Sequence, residues 1–127
     1  MINKLLVLFK IGSPKINLQL QNYELKPGEC VSGSFLLQGG WVKQKIKRLE
    51  CDLVRECTGQ KPEVIEPVKT LLMSQTIELN ERTEIPFSYT LPKALTPTSD
   101  NVSYRLLTKL VFTDDKKSID HDEIVVK

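Results

Sequence analysis

The chain has 127 residues, 40% of them apolar and 27% charged, and a formal net charge of +2. This is the size and composition of one ordinary globular domain that can bury its own core. Lys and Arg are interspersed with Asp and Glu, and so small a basic excess excludes a dedicated nucleic-acid binder.

The chain opens with MINKLLVLFKI, too short for a bilayer span of about 20 apolar residues. It lacks a strong basic leader and an A-x-A-like cleavage site, so it does not read as a signal peptide. On a helical wheel Ile2, Leu5, Leu6, Leu8 and Phe9 share one side, with Asn3, Lys4 and Lys10 opposite. Gly12-Ser13-Pro14 stops any helix. Residues 1–14 are therefore predicted to form a short helix or extended arm docked on the domain. The alternative is a contact with a membrane or a partner.

From Lys15 onward the apolar period is close to two, the mark of strands with one face on a core. Ile16, Leu18 and Leu20 alternate over about Lys15 to Gln21. Lys26-Pro27-Gly28-Glu29 supplies a turn, and Val31, Gly33, Phe35 and Leu37 alternate in a second strand. Gly39-Gly40 breaks the chain before a long strand from about Trp41 to Cys57. In that strand Val42 and Ile46 share one phase while Leu49, Cys51 and Leu53 share the other, which predicts a β-bulge near Lys47-Arg48. Two weaker strands are expected around Glu63 to Val68 and Thr70 to Leu79, then a polar turn at Asn80 to Thr83.

Ile85 to Pro92, IPFSYTLP, alternates Ile85, Phe87, Tyr89 and Leu91 with mostly polar residues. Pro86 and Pro92 forbid a helix there and remove backbone donors near the strand ends. A polar loop over Lys93 to Asn101 leads to a strand carrying Val102, Tyr104, Leu106, Leu110 and Phe112, with Thr108 as its one polar inward candidate. Asp114 to Ser118 forms a charged turn, and Ile124 and Val126 end a last strand that begins near Ile119. Seven to nine strands separated by Gly/Pro turns specify an all-β, antiparallel, immunoglobulin-like sandwich over residues 15–127.

Three cysteines leave at least one unpaired. Cys51 and Cys57 fall on one strand, roughly 20 Å apart, beyond the reach of a disulfide. Without a CxxC, buried reduced thiols in a cytoplasmic protein are the expectation, and no zinc site. His121 is the only histidine, between Asp120 and Asp122, and no GxSxG elbow accompanies it. It reads as a solvated strand residue. Asp114, Asp115, Asp120, Asp122 and Glu123 could gather calcium at a sandwich rim, but the EF-hand spacing is absent and Lys116 and Lys117 oppose a cation. No catalytic, cofactor or metal residue is assigned.

The order of these pieces resembles the arrestin-like sporulation-control family of spore-forming bacteria. The resemblance rests on Lys15-Ile16, Lys26-Pro27-Gly28-Glu29, Gly39-Gly40, Ile85 to Pro92, the Val102 to Leu110 strand, and Asp120-x-Asp122-x-Ile124-x-Val126. It implies an arrestin-like N-terminal domain with a short apolar helix before it, and regulation by binding proteins. Family members typically carry a second domain and a tail, and this chain ends at Lys127, where the first domain would end.

The expected function is thus a non-catalytic, cytoplasmic regulatory adaptor or scaffold. Its partner is a protein, met through an edge strand or through Leu5, Phe9 and Trp41, these three also serving a homodimer, with a lid on the core as the competing reading of Trp41. The alternative is a peripheral membrane protein, with Lys43, Lys45, Lys47 and Arg48 as a face for anionic head groups. A plain solvent face is the competing reading of those lysines.

Overall fold

The computed structural model describes residues 14–40, 43–78 and 80–127. The arm over residues 1–13, with Leu5 and Phe9, lies outside them, as do Trp41, Val42 and Leu79. Eight strands run through the described residues: β1 Lys15–Leu20, β2 Glu24–Leu25, β3 Cys30–Gln38, β4 Gln44–Cys57, β5 Glu63–Ile77, β6 Arg82–Thr90, β7 Val102–Phe112 and β8 Lys117–Val126. They form a three-stranded sheet, β1-β3-β6, and a five-stranded sheet, β2-β8-β7-β4-β5. Every pairing is antiparallel except that of β2 with β8.

The two inner faces meet in one core, and alternation decides who enters it. Ile16, Leu18 and Leu20 of β1 are buried while the residues between them are exposed. Leu49, Cys51 and Leu53 of β4, Tyr104, Leu106 and Leu110 of β7, and Ile124 and Val126 of β8 fill the other side. The register of β4 shifts between Ile46 and Arg48 against both neighbours. This is the bulge that the change of apolar phase predicts, and it lets Ile46 and Leu49 both point inward.

Within Ile85 to Pro92, Phe87 and Leu91 are buried and Ile85 and Tyr89 half-buried. Phe87 packs edge-on against Phe35, with ring centroids 5.1 Å apart and planes at 79°. It stands opposite Gly33 in the β3–β6 register. A Cβ at Gly33 would lie 2.0 Å from the Gln19 carbonyl oxygen, so β1 can approach only a glycine there. Phe87 thus covers a backbone that has no side chain of its own.

Three details differ from the sequence reading. The two weak strands are one, β5, interrupted by register shifts at Cys51/Asp52 and Leu53/Val54 of its partner and bent near Ser74 at φ 46°. Pro67 and the phase changes that the bulges impose hide its continuity. The short β2 has no periodicity to read. Finally, β8 starts at Lys117 and shortens the charged turn. The loop over 93–101 is pinned as well: Leu95 is buried, Tyr104 Oη donates to the Thr96 carbonyl at 2.7 Å, and Thr98 N–H reaches the Val126 carbonyl at 2.8 Å.

Candidate functional site

The basic stripe on β4 is present but largely compensated. Lys43 Nζ lies 3.2 Å from Glu78, Lys47 Nζ lies 3.9 Å from Asp115, and Arg48 pairs with Glu50. The bulge places Lys47 and Arg48 side by side on the outer face. Lys45 is exposed and has no salt bridge among the described residues. Exposed pairs of this kind contribute about 0–1 kcal/mol to stability. Their effect here is to cancel the local field that would draw anionic head groups.

Each sheet edge is blunted. The bond from Gln21 N–H to Ser32 O, 2.9 Å, fixes the parity of the β1–β3 ladder, so the amides of Leu18 and Leu20 face the open edge. Both are taken: Leu18 N–H donates to Asp120 Oδ2 at 2.8 Å, and Leu20 N–H to Tyr23 Oη at 3.3 Å. On β6 the bond from Leu91 N–H to Glu29 O sets the even-numbered amides outward, where Pro86 supplies none. The edge of β5 is broken by Pro67 and its bulges. The last edge is β2, two residues long. These features disfavour addition of a partner strand to β1 and β5, whereas β2 covers only Val125 and Val126 of β8.

The outer face of the larger sheet carries exposed apolar side chains that the sequence reading missed. Leu72 is 84% exposed, Val64 56%, Ile119 51% and Val125 38%. They do not merge into a patch, because Leu72 pairs with Arg48 and Ile119 with Lys109 in the ladder. Isolated apolar residues are ordinary on a protein surface. His121 lies on this outer face, exposed and opposite Leu107. Strand alternation turns it away from Asp120 and Asp122, which removes the Asp-His pairing a triad needs. The open hollow between the β4–β5 turn and the β6–β7 loop is lined by Thr58, Gln60, Ser99 and Asn101, with Glu56, Cys57 and Asp100 as its titratable groups.

The inward face holds the polar chemistry. Asp120 is opposite Thr108, and Thr108 opposite Cys51, so β8, β7 and β4 contribute one polar group each to a line across the core. Thr108 is fully buried, and its Oγ1 donates to Cys51 Sγ at 3.6 Å. Burial pushes the Cys51 thiol up to about 11, with the Thr108 bond opposing. The thiol is therefore neutral at physiological pH and a poor nucleophile. Asp122 follows Asp120 on the same face, and burial first, then a hydrogen bond and the charge of Asp120, push its carboxyl up to about 7. The phase of Ile124 and Val126, extended backward, is the sequence signal that places both aspartates inside.

This also disperses the acidic set considered for calcium. Asp114 and Asp115 are exposed in the β7–β8 turn, Asp120 and Asp122 point inward, and Glu123 points outward. Among the described residues no three His, Cys, Asp or Glu side chains are placed to hold a metal ion. No helix of the described residues is long and apolar enough to cross a membrane.

The fold and the sequence agree on one kinship. The chain is 28% identical over 123 residues to the sporulation-control protein spo0M of Bacillus subtilis (strain 168), covering 92% of this chain and 48% of that protein. The crystal structure of Spo0M from Bacillus subtilis superposes with a TM-score of 0.77 at 26% identity, over 92% of this chain and 50% of that one. The chain thus spans about half the length of the relatives it matches. Fold alone is shared with a Niemann-Pick type C2 protein from Japanese carpenter ant, TM-score 0.61 at 10% identity, covering 91% of this chain and 93% of that one. The family model described as SpoOM protein matches residues 2–127, and the chain belongs to that family.

Proposed function

We propose that this chain is a non-catalytic regulatory domain that acts by binding another protein, as an adaptor or scaffold in sporulation control. The observation that carries the reading is the family match over residues 2–127, with a relative whose name is sporulation-control protein. The inner polar line supports it: Asp120 ties β8 to β1 of the other sheet, and the buried Cys51 thiol is neutral. The free state of Cys30, Cys51 and Cys57 fits a reducing compartment, and the cytoplasm is the proposed location.

The blunted edges shift the proposal from strand addition to side-chain contacts. Leu5, Phe9 and Trp41 are the proposed anchors, since aromatic and large apolar side chains dominate binding energy. The compensated lysine stripe gives the membrane alternative less support than its sequence suggests. The test is in-cell cross-linking of the intact protein, wild type against a Leu5→Ala/Phe9→Ala/Trp41→Ala variant of unchanged thermal stability. Loss of cross-linked partners supports the anchors, whereas retained partners would move the contact to the outer face, where Leu72→Asp/Ile119→Asp removes it. Absence of any partner, or salt-sensitive sedimentation with anionic vesicles in its place, overturns the adaptor reading.

A further inference from the structure

Asp120 and Asp122 lie two residues apart on the inward side of β8, where the open margin of the sandwich brings β8 under edge strand β1. Asp120 Oδ2 accepts the outward amide of Leu18, a bond between residues 102 apart in the chain and between two different sheets. Asp122 lies beside Asp120 on the same face of β8, and its Oδ2 is buried without a partner. Two ionised carboxylates cannot bond to each other, because an ionised carboxylate only accepts. A buried, unpartnered carboxyl oxygen beside a second carboxylate therefore favours the singly protonated pair. Asp122 is the member whose carboxyl is raised, and Asp120 Oδ2 is the acceptor of the Leu18 amide.

The surroundings offer no substitute for that proton. From β7 the pair meets Thr108, opposite Asp120, and Leu106, opposite Asp122. From β4 it meets the neutral Cys51, and from β1 the Leu18 amide between buried Ile16 and Leu20. Asp120 is the sole charged group acting on Asp122. When the proton leaves to solvent, two like charges share a partly buried site.

We propose that Asp120 and Asp122 form a proton-operated latch that fastens edge strand β1 to β8 and loosens it when the shared proton is lost. The latch controls access to the Leu18 amide on that edge. Opened, β1 frees the Leu18 amide, the outward donor that a partner strand would need. The β1–β3 ladder is unaffected, since it uses the alternate amides. Asp122 is held near neutrality, so the transition falls within the range of pH that cells experience.

Amide exchange measured by NMR on the full chain between pH 5.5 and 8.5 tests this, with protection factors corrected for intrinsic rates. The Leu18 amide should lose about tenfold or more of its protection relative to Gln21, whose bond goes to β3, as a proton-linked opening requires. Asp122→Asn retains a neutral donor toward Asp120 and should hold the Leu18-to-Gln21 ratio constant over the same range. A wild-type ratio that does not change with pH overturns the latch whether or not the variant folds. So does an Asp122→Asn protein whose ratio falls as the wild type's does.

Discussion

Tyr89 on β6 donates its phenol hydrogen to Glu66 on β5, joining the edge strands of the two sheets. At the opposite margin Leu18 on β1 and Asp120 on β8 make the corresponding bond. Each open side of the sandwich is thus closed by a carboxylate from the larger sheet and a donor from the smaller one. Between them the core is apolar except for Thr108. Burial and the Glu66 carboxylate both push the Tyr89 phenol above its ordinary range. The folded state therefore retains that proton at pH values where the unfolded chain loses it, and stability falls as pH rises past about 10.

Tyr89→Phe removes this clasp without changing ring packing. Hydrogen bonds to a charged group contribute about 1.5–3 kcal/mol, and partial exposure puts the expected loss at the lower end, about 1.5 kcal/mol. Urea unfolding at neutral pH would measure it. The alkaline fall in stability should also be shallower in the variant, because the titrating phenol is gone. Equal midpoints for the two proteins would show that the bond is not formed in solution.

Asp122 gives a second pH signature with its own sign. Its carboxyl is raised from 3.8 to about 7 in the folded state. The unfolded chain releases this proton near pH 4 while the fold keeps it, so the contribution is full below pH 4 and lost as pH rises through about 7. Asp122→Asn cannot titrate. Its thermal midpoint relative to wild type should climb between pH 4 and 7 and level off above. A constant difference across that interval would contradict the raised carboxyl.

Much of this was legible in the residues, because burial on one face imposes a period of two. The phase change from Ile46 to Leu49 gave away the bulge, and Thr108 was the one polar residue in an apolar inward series. Asp120 and Asp122 were harder, since acidic residues near a charged turn look solvated until Ile124 and Val126 are used to extend the phase back. The clasp from Glu66 was not readable at all: β5 changes phase at Pro67 and its bulges, so no alternation tells which way Glu66 points. The edge protection was visible only in part, in Pro86. Cross-sheet bonds such as Leu18 to Asp120 depend on how two sheets stack, which strand periodicity does not encode.

The thiols should separate by accessibility. Cys30 is exposed, Cys57 partly so, and Cys51 fully buried with its thiol pushed up to about 11. Thiolate is the reacting form, so a thiol reagent at pH 8 should label Cys30 fastest, Cys57 more slowly, and Cys51 only on unfolding. Mass spectrometry of the labelled native protein checks the order. Rapid labelling of Cys51 without loss of the fold would show that β4 opens locally. That result would also be inconsistent with the Thr108 bond.

Gly33 is a position where a single methyl group has no room. A Cβ there would sit 2.0 Å from the Gln19 carbonyl oxygen and 3.0 Å from Leu20 Cα, all backbone atoms that cannot rotate away. Gly33→Ala must push β1 off β3, a form of overpacking that costs about 1–3 kcal/mol, with the upper end expected. Displacement of β1 would also lengthen the bond from Leu18 N–H to Asp120. The variant should therefore lose both stability in urea and exchange protection at Leu18. Gly59, where an added Cβ would meet no atom within 4 Å but φ is 78°, is the control for conformational strain alone. Gly59→Ala should lower stability without touching Leu18, and matching losses of Leu18 protection in the two variants would refute the close-approach account.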